Sequence, residues 1–206
     1  MTLFIVIITA IISFLGFTNH DLFSKLIFNP YRVSHNKEYY RLFTHALLHA
    51  DWIHLIVNMF VLYQFGQVLE TYLKIVPNIY HLPPSLVYLI MYVSAIVISS
   101  LTTLKKYRDA FFYNAVGASG AVSAVLFACI FFDPWAKLGV FLIIPVPGII
   151  FGVLYLWYCS FMSKRSNDNI NHDAHFLGAL YGFTFPILLN PGLFYVFIKQ
   201  IANFHF

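Results

Sequence analysis

Six runs of apolar residues, separated by polar segments, dominate the chain. Each approaches the length that a helix needs to cross a bilayer, and none alternates as a half-buried strand would. They predict helices over about 3–17, 52–73, 85–104, 117–132, 147–162 and 174–189. The first run lacks a basic segment before it and a small-residue cleavage site after it. We therefore interpret it as a retained helix and not as a signal peptide.

Two segments outside the six runs carry their own predictions. Pro145 and Pro147 would kink any helix that contained the stretch LGVFLIIPVPG, so it predicts a short loop lying on the membrane. Residues 193–206 follow the turn-forming sequence Asn190-Pro191-Gly192 and predict a helix at the membrane interface. The chain shows no internal repeat, so we expect one membrane domain over residues 1–206.

The composition agrees with the pattern. The 206 residues are 60% hydrophobic and only 10% charged, whereas a soluble domain is roughly a quarter charged. An all-α polytopic membrane protein is therefore the expected class. Cys129 and Cys159 lie in apolar runs and suggest no disulfide framework, and no basic tract suggests nucleic-acid binding.

Small residues mark one face of the fourth apolar run. Gly117, Ala121, Ala124 and Ala128 recur at helical spacing, which would let neighbouring backbones approach closely. The sixth run carries a similar pair of glycines, at positions 178 and 182. The two patterns predict that the fourth helix lies in the middle of a bundle and packs against the sixth.

Packing does not explain the polar side chains at the starts of three runs. His54 and Asn58 share one face of the second helix, Ser119 begins the fourth, and His172 and His175 begin the sixth. Counting spans puts these three places on the same side of the membrane. Polar groups in so apolar a chain need a reason, and one site could collect them.

The residue types at that site suggest acyl transfer. A serine hydroxyl needs a base to remove its proton, which makes Ser119 the candidate nucleophile and His175 the candidate base. His54, Asn58 and the Ser119 backbone N–H are candidate donors to the oxyanion, and Gly117 and Gly120 would permit the tight turn. We interpret Asp173 as a helix cap and not as a third catalytic residue. The scheme is a Ser–His dyad that needs no metal and no cofactor.

These residues resemble the rhomboid intramembrane serine proteases over about Tyr40 to Leu189. The motifs are His54-x-x-x-Asn58, Gly117-x-Ser119-Gly120 and Ala174-His175-x-x-Gly178-x-x-x-Gly182. The resemblance implies a six-helix bundle with a core over about 40–190, a cavity open to the non-cytoplasmic side and the same residue roles. It also implies single-span membrane proteins as substrates, the fifth helix as a lateral gate and a bacterial cytoplasmic membrane as the location.

Three departures from the family pattern are visible. Ser123 stands where family members often carry a tyrosine that packs on the histidine, so we expect another aromatic residue to hold His175. Tyr40-Arg41 replaces a Trp-Arg pair. Nine of the twelve Lys and Arg residues lie in the first, third and fifth loops, which the positive-inside rule would place in the cytoplasm and the family topology outside.

Three other functions are compatible with parts of the sequence. His45 and His49 in HALLH, together with HDAH, have the spacing of metal-ligand boxes in a membrane metalloenzyme. That hypothesis leaves the Gly-x-Ser-Gly motif unexplained, and hydrogen bonding within the first loop is the simpler role for His45 and His49. A rhomboid-like protein that binds membrane helices without cutting them would be expected to lack Ser119 or His175. A transporter would be expected to carry charged residues within its spans.

Overall fold

The computed structural model describes residues 1–140, 144–165, 168 and 170–203. These residues form ten α-helices, a short 3₁₀ helix and two strands. In chain order the elements are α1 (Thr2–Thr18), α2 (His20–Leu26), α3 (Pro30–His35), α4 (Arg41–Thr44), the 3₁₀ helix (His45–Leu47), α5 (Trp52–Ile75), α6 (Pro84–Lys106), α7 (Ser119–Phe132), β1 (Lys137–Val140), β2 (Ile144–Pro147), α8 (Gly148–Met162), α9 (His172–Leu189) and α10 (Gly192–Ala202).

All six apolar runs form helices, namely α1, α5, α6, α7, α8 and α9. Within the described part of the chain, α5 and α6 are each long and apolar enough to cross a membrane. The bent pair of α9 and α10 makes a third candidate if it is taken as one span, whereas α1, α7 and α8 are apolar but shorter. The predicted count of six spans therefore remains a prediction.

Helix α7 forms the centre of the bundle. Every residue after Ser119 in this helix, from Gly120 to Phe132, is buried, and its neighbours are α5, α6, α8 and, most extensively, α9. Gly178 and Gly182 of α9 face the backbone of Gly120 and Ala124. The predicted central position of this helix and its close packing against the sixth apolar run are both confirmed. This packing brings the first turns of α7 and α9 together.

The first loop is folded against the segment that precedes α7. Phe28 and Ala115 exchange two backbone hydrogen bonds of 3.1 and 3.0 Å. The side-chain amide of Asn29 donates to the carbonyl oxygens of Phe111 and Tyr113. Arg41, which is 1% exposed, donates from Nη1 to the carbonyl oxygens of Ser24 and Ile27. The loop is thereby fixed on both sides, and it supports the turn that leads to Ser119.

Two segments differ from the sequence prediction or extend it. The stretch predicted to be a short loop contains β1 and β2, which pair antiparallel with Lys137 opposite Pro147. The expectation of an all-α chain was wrong at this place, because two short extended segments can satisfy each other's backbone groups where prolines disfavour a helix. Helix α10 forms where an interfacial helix was predicted, after a bend of 118° from α9, while residues 204–206 lie outside the described part.

Large apolar side chains cover the outside of the bundle. Phe4 on α1, Ile53 on α5, Leu101 on α6 and Trp157 on α8 are all exposed. In water such a surface would be unfavourable, whereas hydrocarbon is its natural solvent. The distribution identifies the chain as a membrane protein.

Candidate active site

The turn before Ser119 requires a glycine at position 117. Gly117 has φ of +120°, a conformation that side chains strongly disfavour. Its N–H donates to the carbonyl oxygen of His45 at 3.0 Å. A Cβ at this position would lie 2.8 Å from Cε1 of His54. The glycine therefore allows both the backbone turn and the close approach of the His54 ring.

The structure brings Ser119 and His175 into direct contact. Nε2 of His175 lies 2.6 Å from Oγ of Ser119. Ser119 is the first residue of α7 and His175 lies in the first turn of α9, so the packing of these two helices sets the distance. Both side chains are half-buried. A nucleophile and a base at hydrogen-bond distance are the arrangement that acyl transfer by serine requires.

His54 lies over the same turn. Its Nδ1 accepts a long hydrogen bond of 3.4 Å from the N–H of Ala50, which favours the tautomer with the proton on Nε2. Nε2 faces Gly117 together with Cε1, since a Cβ there would lie 2.9 Å from Nε2 and 2.8 Å from Cε1. Asn58 lies one turn further along α5, where its amide donates to the carbonyl oxygen of His54 at 2.9 Å. The structure thus places His54 directly against the Gly117 turn, while the Asn58 amide is bonded to the backbone of α5.

The start of α7 leaves its backbone donors uncapped. Its N-cap residue, Ala118, has no side-chain hydrogen bond to this helix end, and the first N–H groups of a helix have no acceptor within the helix. The N–H of Ser119 belongs to this set. These donors, together with the positive end of the helix dipole, suit an anionic oxygen beside Ser119.

The prediction that Asp173 caps the sixth helix was wrong. Asn171 is the cap residue of α9, because its side-chain oxygen accepts from the N–H of Ala174 at 3.1 Å. Asp173 instead pairs with Lys106 at 3.4 Å. Asp168 bonds Nε2 of His172 at 3.0 Å. Among the described residues, neither carboxylate is hydrogen-bonded to His175, so the expectation of a dyad stands as a prediction.

His45 and His49 are engaged in the first loop. Nδ1 of His45 lies 2.9 Å from the carbonyl oxygen of Arg41, and Nδ1 of His49 lies 2.9 Å from Oγ of Ser13. Burial lowers the pKa of His45 to about 4 and the pKa of His49 to about 3, so both are neutral at pH 7. Within the described part of the chain, these two do not join a group of three potential metal ligands. The contacts agree with the simpler role, hydrogen bonding within the loop.

Two side chains of α8 lie near Ser123 of α7 and the histidines at the start of α9, and the sequence prediction missed both. The hydroxyl groups of Tyr155 and Ser123 are 2.8 Å apart. Cys159, one turn further along α8, lies beside His172 and His175. In the part of the chain that the structure describes, the ring paired with that of His175 is the ring of His172, with centroids 6.1 Å apart. Tyr155 and Cys159 share one face of α8, and that i, i+4 pair of polar groups in an apolar run is the signal that could have found them.

Comparison with known proteins agrees with this arrangement. The family model of the rhomboid domain matches residues 36–191, a region that contains every candidate site residue. The chain belongs to the rhomboid family. It is similar to RHOMBOID-like protein 12, mitochondrial, from Arabidopsis thaliana, with 32% identity over 148 residues. That match covers 67% of this chain and 43% of the plant protein, so the chain spans less than half the length of this relative.

Proposed function

We propose that this rhomboid-family protein is an intramembrane serine endopeptidase that acts through a Ser119–His175 dyad. The observation that carries the proposal is the distance of 2.6 Å between Oγ of Ser119 and Nε2 of His175. Membership of the rhomboid family supports it, since the family is typically one of serine proteases. A catalytically idle member would be expected to have lost Ser119 or His175, whereas this chain keeps both.

The proposed reaction begins with attack of Ser119 Oγ on a peptide carbonyl carbon. The hydroxyl proton moves to Nε2 of His175 as the new C–O bond forms. The negative charge on the substrate's carbonyl oxygen is stabilised by Nε2–H of His54 and the N–H of Ser119. Asn58 supports this arrangement, because its side-chain amide donates to the backbone carbonyl oxygen of His54. His175 then protonates the leaving amine, and a water molecule, activated by the same imidazole, hydrolyses the acyl-enzyme. This scheme needs no cofactor.

The proposed substrates are single-span membrane proteins, cut near the membrane surface. Ser119 and His175 both lie at helix starts, so a peptide bond must reach them at the end of the bundle and not at its middle. A substrate helix would have to unwind locally to expose a carbonyl carbon to Ser119. Helix α8 is the proposed lateral gate, because it contributes few neighbours to α7 compared with α5, α6 and α9.

The decisive test uses the full chain in liposomes with a generic single-span substrate. Cleavage by the wild type is compared with Ser119→Ala, His175→Ala and the surface control Ser24→Ala. We expect each dyad variant to lose about 10³-fold or more in rate and the control to retain activity. A fluorophosphonate probe should label the wild type but not Ser119→Ala. Cleavage by either dyad variant at the wild-type rate would contradict the proposal, and a wild type that neither cuts nor reacts would indicate an idle helix-binding protein.

The membrane and the orientation are proposals of their own. We propose a bacterial cytoplasmic membrane with the site open to the non-cytoplasmic side; the name of the plant relative places that relative in mitochondria. A cysteine introduced at Lys164, in the segment between α8 and α9, tests the orientation. An impermeant thiol reagent should label it from outside intact cells, whereas the buried Cys129 and Cys159 should not react. Labelling only after lysis would show that the site opens to the cytoplasmic side.

A further inference from the structure

Three potential metal ligands meet beside the dyad. Cys159 of α8 and His172 and His175 of α9 each offer one ligand atom, and the three atoms lie within 4.8 Å of one another. Cys159 is 1% exposed and His172 is 4% exposed. The Cys and His side chains come from two helices that the bundle holds together, so the cluster is a product of the tertiary fold.

One ring nitrogen of His172 has no hydrogen-bond partner among the described residues. Nδ1 of His172 is buried and makes no hydrogen bond to the described residues. Its other nitrogen, Nε2, lies 3.0 and 3.1 Å from the two oxygens of Asp168. A carboxylate accepts the Nε2 proton, which leaves the Nδ1 lone pair free, and an unsatisfied buried acceptor destabilises the folded protein. A carboxylate behind a histidine is also the arrangement that orients metal-binding histidines.

We propose that Cys159, His172 and His175 form a binding site for a borderline transition-metal ion, foremost Zn²⁺, and that the bound ion switches off the dyad. A thiolate and two imidazoles are ligands that zinc prefers, with a fourth position left for water. Ligand atoms around zinc lie about 3.5 Å apart, given Zn–S and Zn–N bonds of about 2.0–2.3 Å. The three ligand atoms therefore need to move about 1 Å closer together when the ion binds. The thiol of Cys159 then loses its proton to water.

The ion has a route to the site from water. The Asp168 side chain, which lies behind His172, is 30% exposed, and His172 is in the first turn of α9. A cation can therefore meet the carboxylate before it reaches the buried ligands. His45 and His49, whose spacing in the sequence is the more familiar metal pattern, are instead bonded to Arg41 and Ser13.

The inhibition follows from the chemistry of a single imidazole. A neutral imidazole has one nitrogen lone pair to offer. If the ion takes that pair on Nδ1 of His175, Nε2 carries the proton and cannot accept the proton of Ser119. If the ion binds Nε2, it stands where the serine proton must go. This regulatory consequence rests on the proposed protease function, whereas metal binding itself does not.

Binding is tested with Co²⁺ as a spectroscopic substitute for Zn²⁺ on the purified full chain in detergent. We expect a thiolate-to-cobalt charge-transfer absorption that saturates at one ion per chain and disappears when Zn²⁺ is added. Cys159→Ser and Cys159→Ala should both lack the band, and His172→Gln should weaken binding at least about 10-fold. The matched control is Cys129→Ser, which changes the other buried cysteine and should keep the band. No band in the wild type, or an unchanged band in both Cys159 variants, would overturn the site.

Inhibition is tested separately by substrate cleavage in liposomes. Micromolar Zn²⁺ should stop cleavage by the wild type, and a chelator should restore it. Relative to each variant's own rate without metal, the Zn²⁺ concentration for half inhibition should rise at least about 10-fold in Cys159→Ser and stay unchanged in Cys129→Ser. If no variant cuts substrate even without metal, the protease proposal fails while the cobalt titration still decides the site. If cobalt binds but Zn²⁺ leaves cleavage unchanged, the regulatory role is overturned.

Discussion

Gly178 of α9 lies so close to the carbonyl oxygen of Gly120 on α7 that a Cβ at position 178 would collide with it. Gly120 follows Ser119 directly, and Gly178 lies three residues after His175. This contact between two backbones therefore controls how near the proposed nucleophile and base come to each other. Helix packing and catalytic geometry are the same property at this place.

Gly178→Ala should therefore impair both stability and activity. The new methyl group meets backbone and cannot be relieved by a side-chain rotation, and overpacking of this kind costs about 1–3 kcal/mol or more. Separation of α9 from α7 would lengthen the hydrogen bond from His175 to Ser119 and reduce cleavage. Thermal unfolding in detergent and the cleavage rate measure the two effects.

Gly152→Ala is the control for this change. Its Cβ would lie 3.4 Å from the nearest atom, on the Phe127 ring, which is a tight but tolerable contact. Similar loss in both variants would show that the bundle resists any added methyl group and that the α7–α9 contact has no special role.

His54→Ala should lower the rate of the chemical step. Its Nε2 faces the Gly117 turn beside Ser119, and removal of one oxyanion donor costs about 10²–10³ in kcat. KM should change little, because the donor acts on charge that develops only during the reaction. Steady-state cleavage kinetics measure both parameters. The control is His20→Ala, which removes an exposed histidine at the start of α2 and should cut as the wild type does. If His54→Ala kept the wild-type kcat, His54 would not be an oxyanion donor.

The hydrogen bond between Ser123 and Tyr155 should contribute to the stability of the bundle. Tyr155→Phe leaves the Ser123 hydroxyl without this partner, at a cost of about 1–3 kcal/mol for an unsatisfied buried group. The double variant Ser123→Ala with Tyr155→Phe should lose less than the sum of the two single changes. Unfolding in detergent measures each variant. Strict additivity would mean that the two hydroxyl groups contribute independently.

Burial of His45 predicts a loss of stability at acid pH. Burial lowers its pKa to about 4, against about 6.5 in an unfolded chain. As the pH falls from about 6.5 to about 4, the unfolded chain takes up a proton that the folded protein excludes, so folding weakens by up to about 1.4 kcal/mol per pH unit. Above about 6.5 the contribution is fully present.

The experiment compares the wild type with His45→Gln. Melting temperatures in detergent over this pH window should fall more steeply for the wild type, since glutamine does not titrate. Parallel curves for the two proteins would mean that His45 is protonated in the folded protein or that it remains buried in the unfolded chain.

Local sequence was enough to predict the positions of the helices and the meeting of Ser119 with His175. Helix formation depends on local periodicity and apolar length, so all six runs were found within a few residues of their ends. The small-residue faces of α7 and α9 predicted their packing, and with it the meeting of Ser119 and His175. Only helices with a face of small residues can bring their backbones into contact, and such a face can be recognised from the spacing of glycine and alanine in the sequence.

The side chains that surround that pair come from separate helices, and the packing of the whole bundle determines which they are. The i, i+4 spacing of Tyr155 and Cys159 marks one polar face of α8, but the sequence does not show that this face meets Ser123 and His172. Asn171 caps α9, and Thr103 of α6 also holds its side chain in place. Asp173 does not cap the helix, because its carboxylate pairs with Lys106. Such contacts depend on the rotation and offset of neighbouring helices, which the whole bundle sets and no single segment encodes.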